Sequence, residues 1–169
     1  MRTRALAVMI LVTTLFLGAC STSGNTADNG QQPTVFSMDV AQEGDRLYRE
    51  LDYRDRLEEL APSVVYTLLG IEEGDVLELK NYFSSGATAE EILVIKAKDQ
   101  DALARLRFLI DTRVQDQMDI YVSYAPEEVE YLKAAVIDSK EDYLVYCVSS
   151  SPDKAGELVK DMFAQEVSH

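Results

Sequence analysis

The chain has 169 residues, 30 of them acidic and 16 basic, for a net charge of −14 near neutral pH. That acidity argues against nucleic acid or an anionic lipid surface as a partner, because both repel it at long range. The length suits one domain with a core large enough to fold unaided, and two cysteines are too few for a disulfide framework.

Arg2 and Arg4 precede an apolar run from Ala5 to Phe16 that only two threonines interrupt. This is a signal-peptide pattern, too short to span a bilayer. Leu17-Gly18-Ala19-Cys20 follows directly and resembles the lipobox of bacterial lipoproteins. The resemblance implies cleavage before Cys20 and a diacylglycerol on its thiol. Two or three acyl chains, at about 0.8 kcal/mol per buried methylene, hold a protein stably on a membrane. Residues 1–19 are therefore expected to be the signal peptide. Residues 20–34, made mostly of Ser, Thr, Gly, Asn and Gln, read as a flexible tether, and 35–169 as a single globular domain. Loss of two arginines with the signal takes the net charge from −14 to −16. The expected location is the extracytoplasmic face of the cell membrane, with the membrane as partner through the lipid on Cys20.

Within the domain, Asp39 with Gln42 three residues later is a capping-box pattern, and Val40, Leu47, Tyr48 and Leu51 form a helical stripe to about Asp52. Pro62 suits the start of a second helix, which Gly70-Ile71 would stop. From Val76 the period changes to two, with Leu77 and Leu79 on one face and Glu78 and Lys80 on the other. That predicts a half-exposed strand ending at Tyr82-Phe83. After Ser84-Ser85-Gly86-Ala87-Thr88, the run Ile92–Ile95 is apolar on both faces, as a central strand should be. Asp99 can cap a helix whose apolar side runs from Leu103 through Ile110 to Met118. An acidic segment after Pro126 has room for a short turn of helix. Ala135–Asp138 and Tyr143–Val148 then read as a second hairpin about a Ser139–Asp142 turn. Ser151-Pro152 opens a closing helix with Leu158, Val159, Met162 and Phe163 on its apolar face.

Two strand-strand-helix units thus follow one another, behind additional N-terminal helices. The second strand of each hairpin is apolar on both faces, which places both in the middle. A helical crossover from the second strand to the third then predicts an α+β fold with a four-stranded antiparallel sheet in the order 1-2-4-3.

The stretch Tyr82 to Ile92, with Ser84-Ser85-Gly86-Ala87-Thr88-Ala89-Glu90-Glu91 at its centre, is similar to a bacterial lipoprotein family known as domain of unknown function 4358. Lys96-Ala97-Lys98-Asp99, then Arg113 and Gln117, then Tyr124-Ala125-Pro126-Glu127-Glu128 resemble that family's pattern in the same order. Ser84 stands where the family pattern has glycine. The resemblance implies a Gram-positive-type surface lipoprotein and, by the family's name, no established activity.

Candidates for chemistry are few. The single histidine is His169, at the terminus, so a histidine triad or multi-histidine metal site has no support, and no cofactor fingerprint appears. Calcium fares little better, since Asp99-Gln100-Asp101 lacks the glycine and distal glutamate of an EF-hand loop. Cys147 lies in a strand-like run and is expected to be buried as a small apolar residue. Paired acids such as Glu90 with Glu91, or Glu127 with Glu128, keep a carboxylate-dependent hydrolase open. The loop Ser84, Ser85, Gly86, Ala87, Thr88 with Glu90 and Glu91 is the candidate binding feature, against the alternative of a self-capped hairpin. Arg113 and Gln117, one turn apart, are expected to reach Glu128 or the Tyr124 loop and hold it down. Nine tyrosines offer a further aromatic face for a glycan or protein, although most are expected in the core. The leading expectation is a non-enzymatic tethered module that binds an unknown protein or small ligand at the cell surface. A hydrolase acting on envelope material and a self-associating structural protein are the alternatives.

Overall fold

The computed structural model describes residues 36–164, so Cys20, the expected signal and tether, and His169 lie outside the described residues. Five helices and four strands make three layers. They are α1 (Val40–Glu50), α2 (Pro62–Leu69), β1 (Val76–Phe83), β2 (Glu91–Ala97), α3 (Gln100–Tyr121), α4 (Pro126–Lys133), β3 (Val136–Lys140), β4 (Tyr143–Val148) and α5 (Pro152–Ala164). The sheet is antiparallel throughout and ordered β1-β2-β4-β3. This is the α+β architecture and strand order that the hydrophobic pattern predicts.

Local chemistry sets the boundaries. The Asp39 carboxylate accepts the Gln42 N–H at 2.9 Å and caps α1, and Asp99 does the same for α3 through Ala102 at 2.8 Å. Gly70, at φ 69°, ends α2 in the left-handed conformation that glycine adopts without a Cβ penalty. The β3–β4 hairpin closes tightly, with Lys140 pairing Tyr143 and Glu141 taking φ 50° in the turn.

The two central strands bury both faces. Leu93, Ile95, Leu144, Tyr146 and Val148 face α2, α3 and α4, where Val65, Leu106, Ile110 and Leu132 complete one core. Ile92, Val94, Val145 and Cys147 face the other way, against Leu47 of α1 and Leu158, Val159 and Met162 of α5. Burial on each face, at about 25 cal/mol per Å² of apolar surface, supplies the main driving force for this layering.

Two sequence expectations change. Leu77 is not on the buried face with Leu79; it is 59% exposed. The reason is a register shift between Val76 and Glu78, which pair with Ala97 and Lys96, so that Leu77 is the extra residue and turns outward. The segment after Pro126 forms a two-turn helix, α4, with Pro126 in its first turn and Leu132 buried beneath it.

The outer edge of β1 is closed over its C-terminal half. Glu58 and Phe83 exchange backbone hydrogen bonds at 2.8 and 2.9 Å. The buried Asn81 side chain accepts the Leu60 N–H at 2.9 Å and donates to the Leu60 carbonyl at 3.0 Å. These contacts lay the Arg54–Leu60 segment along the sheet edge and remove unpaired backbone groups that would otherwise template aggregation.

Helix α1 comes so close to β1 that a Cβ on Gly44 would overlap the Lys80 side chain, whose own Cβ would lie 2.9 Å away. Gly44→Ala is therefore expected to destabilise the protein by about 1–2 kcal/mol, even though alanine is the better helix former by about 1 kcal/mol. Urea unfolding measures it, and a stabilised variant would contradict the packing described.

Candidate functional site

One end of the sheet gathers three buried carboxylates. Glu90 is 0%, Glu91 3% and Glu128 2% exposed. Each would be costly to bury alone, by several kcal/mol, so each must be paired and hydrogen-bonded.

Arg54 is the hub. Its guanidinium donates two bonds to Glu128, at 2.6 and 2.7 Å, in the planar fork geometry that suits a carboxylate. Its Nε lies 3.4 Å from Glu90, and the group rests 3.9 Å above the Tyr131 ring. Glu90 completes its set with the backbone N–H groups of Arg54 and Asp55, each within 3.0 Å, and the Thr88 hydroxyl at 3.0 Å. Glu128 also accepts the Ala89 N–H at 2.9 Å. Burial alone would raise the Glu128 carboxyl, but the Arg54 guanidinium and the Ala89 N–H outweigh it and hold the group below its ordinary value.

Glu91 opens β2 and points to the α3 face. Arg113 donates to it through Nε at 2.8 Å and through Nη2, and Gln117 Nε2 donates at 3.0 Å. Arg113 and Gln117 therefore hold Glu91, and not Glu128 or the Tyr124 loop as their helical spacing predicts. The reason is the length of α3, which carries this flank across the head of β2, while Glu128 is already taken by Arg54. Tyr124 is exposed, and its ring packs 5.1 Å from that of Tyr121.

The loop from Ser84 to Glu90 is drawn tight by its own polar atoms. Ser84 Oγ donates to the Thr88 carbonyl at 2.6 Å. The Ser85 N–H and hydroxyl both donate to one oxygen of Asp55, at 2.9 and 2.6 Å. These bonds hold the half-buried Asp55 carboxyl below its ordinary value. From the other side the Tyr121 hydroxyl donates to the Thr88 carbonyl at 2.6 Å. Gly86, at φ 93°, makes the turn, and no residue of the loop other than this glycine takes a positive φ. Serine at position 84 is thus accommodated without strain, and its side chain adds a bond. Only Ser85, Gly86 and Ala87 are exposed, so the part of the loop open to a partner is smaller than the sequence feature; Glu90 and Glu91 are inside the protein.

Two adjoining depressions flank this loop. One, of about 430 Å³, lies between Asp55, Arg56, Glu58 and Ser85. The other, of about 210 Å³, lies between Leu68, Gln117, Tyr121 and Gly86. They share Leu60, Phe83, Ser84 and Ser85 and so form one open groove beneath the loop. Glu90 and Glu128 line neither, and Glu91 enters the smaller one already paired. Cys147 is buried, and burial pushes its thiol up to about 12. At neutral pH it is an un-ionised, shielded thiol, the opposite of an activated nucleophile. Among the described residues, no three His, Cys, Asp or Glu side chains are grouped as a metal site requires.

The family pattern described as "Domain of unknown function (DUF4358)" matches residues 50–149, which take in Arg54, the loop, Arg113, Gln117 and Glu128. The chain belongs to the DUF4358 family. No curated protein and no solved structure matches it. The stretch matched to DUF4358 begins just before Arg54 and ends just after β4, so it contains the sheet and the whole carboxylate–arginine arrangement but leaves out α5 and most of α1.

Sequence reasoning missed Arg54. Its partners are 36 and 74 residues away, and it sits between helices where no period applies. The one available signal is a charged Arg54-Asp55-Arg56 run set between the apolar Leu51 and Leu57.

Replacement of Arg54 by alanine leaves Glu90 and Glu128 buried without their cation and is expected to cost about 3–5 kcal/mol in chemical unfolding; a loss below 1 kcal/mol would contradict the arrangement. The pH dependence has a defined sign. A carboxyl held below its ordinary value of 4.5 in the folded state contributes stability that is complete above pH 4.5 and is lost as pH falls through the folded value. Wild type should therefore lose stability on acidification more steeply than Arg54→Ala in that window. Separately, Cys147 should resist a thiol reagent in the native protein and react fully in denaturant, and fast native labelling would contradict its burial.

Proposed function

We propose that the protein is a membrane-tethered, non-enzymatic module that binds a small ligand or a partner protein at the cell surface through the groove beside Ser84 and Ser85. The observation that carries this reading is the combination of a stiff, glycine-centred loop with an open groove at its base. Such loops on rigid scaffolds are where recognition is commonly built. Hydrolysis by paired carboxylates draws no comparable support, because Glu90, Glu91 and Glu128 are spent on Arg54, Arg113, Gln117 and backbone amides and do not converge on a cleft. The tether rests on the lipobox Leu17-Gly18-Ala19-Cys20, and the surface location follows from it.

Two experiments test the proposal. With Cys20→Ala the protein is expected to leave the membrane fraction; continued membrane association would remove the lipoprotein reading. A photo-crosslinking amino acid at Ala87, exposed and free of side-chain hydrogen bonds, is expected to yield a defined adduct mass in intact cells. The same probe at Asp138, on the exposed edge of β3, should yield none. Equal labelling at both positions, or none at Ala87, would count against the groove.

A further inference from the structure

Charge is spread unevenly over this protein. Three stretches, 61–71, 82–89 and 120–126, carry no charged residue, and all three meet at the end of the sheet where the groove lies. Leu68 of α2, the loop from Ser84 to Thr88 and Tyr121 line the smaller half of the groove together. The Tyr121 hydroxyl bonds the loop, and the Tyr124 ring packs 5.1 Å from that of Tyr121. Ile120 lies about one helical turn beyond Gln117, another residue of the same lining.

Large apolar side chains are left in solvent here. Val64 and Leu68, which share one face of α2, are each 49% exposed; Ile120 is 58%, Val122 59% and Tyr124 60% exposed. Eight large apolar residues are exposed among the described residues, and these five fall in the uncharged stretches. Apolar residues scattered singly over a surface need no explanation, whereas a group of this kind marks an interaction face. The border has the opposite character. Asp55 and Glu58 line the larger half of the groove. Asp116 lies one turn before Ile120 and Asp119 beside it, and Glu127 follows the third uncharged stretch directly; all three are exposed. Arg56 is the one exposed cation lining the groove, and it is already within 3.8 Å of Glu58.

On the reading that this groove is the binding site, we infer that its occupant is a segment of a partner protein that presents aliphatic side chains between lysines or arginines. Its footprint extends from the groove over α2 and the end of α3. The aliphatic side chains cover Val64, Leu68 and Ile120, and the cations meet the acidic border, so an apolar centre is ringed by complementary charge. A second copy of this chain would set one acidic border against another, and an anionic bilayer would meet the same repulsion. A glycan brings little apolar surface with which to cover four exposed aliphatic side chains.

The test is a titration of the full chain in non-ionic detergent, followed by the NMR resonances of the Leu68, Gly86 and Val122 backbone amides. The probe is a capped peptide of three leucines between two pairs of lysines. The same peptide with glutamates for the lysines, and the same peptide with serines for the leucines, serve as the comparison set. The leucine–lysine peptide is expected to shift all three amides saturably, about tenfold or more tightly than either comparison, and less tightly as salt is raised. Leu68→Ser combined with Ile120→Ser removes two exposed apolar contacts and should weaken its binding by about tenfold or more. If that variant does not fold, the wild-type comparison still decides the matter. Equal binding of the glutamate peptide, equal binding of the serine peptide, or no binding of any peptide would each overturn the inference. So would binding unchanged in the folded double variant. Shifts of the same amides on concentrating the protein alone would assign the face to a second copy instead. Adducts from Ala87 in intact cells are scored independently, so the assignment of the partner can fail while the groove reading stands.

Discussion

Three buried glutamates, Glu90, Glu91 and Glu128, gather at one end of the sheet, and the arrangement there follows from the need to neutralise them. An unpaired carboxylate in such a position costs several kcal/mol. Arg54 and Arg113 therefore become fixed points to which distant parts of the chain are tied. Through Arg54 the segment after α1 is bonded to the β1–β2 loop and to the first turn of α4. Through Arg113 the middle of α3 is bonded to the head of β2. The hydrophobic layers bring these elements together without specifying how they meet at this end; the ion pairs supply the register.

A consequence is that the acids most suggestive of catalysis in the sequence are structural. Glu90 and Glu128 stiffen the loop from within, and Asp55 and Tyr121 clamp its two flanks. On the proposed reading, the loop tip and the groove below it are the surface offered to a partner, and the bonds around the loop fix its shape in advance. Preorganisation of this kind reduces the ordering cost of association.

Much of the fold was legible because its signals are local. Asp39, Pro62, Gly70 and Asp99 each mark a boundary by a mechanism that acts within four residues. The doubly apolar runs at Ile92–Ile95 and Tyr143–Val148 placed two strands in the centre and led to the 1-2-4-3 order. Leu77 was misplaced because a single bulged residue inverts the alternation from which its face was read. The site was less legible for a deeper reason. Acidic residues are read as exposed by default, and nothing within a few positions of Glu90, Glu91 or Glu128 reveals the arginine that permits burial. Arg113 and Gln117 were recognised as a pair by helical spacing, but spacing on one helix cannot say which of several acids lies opposite.

The claim that buried carboxylates lock the loop to the scaffold is tested most directly by native-state hydrogen exchange at the Arg54, Asp55 and Ala89 amides, whose protons are donated to Glu90 and Glu128. Amides freed only by global opening exchange at the rate of the core, whereas locally opened ones exchange far faster. The account predicts that these three exchange as slowly as Leu93 and Val145 in the central strands. Rapid exchange at the three while the central strands remain protected would contradict it.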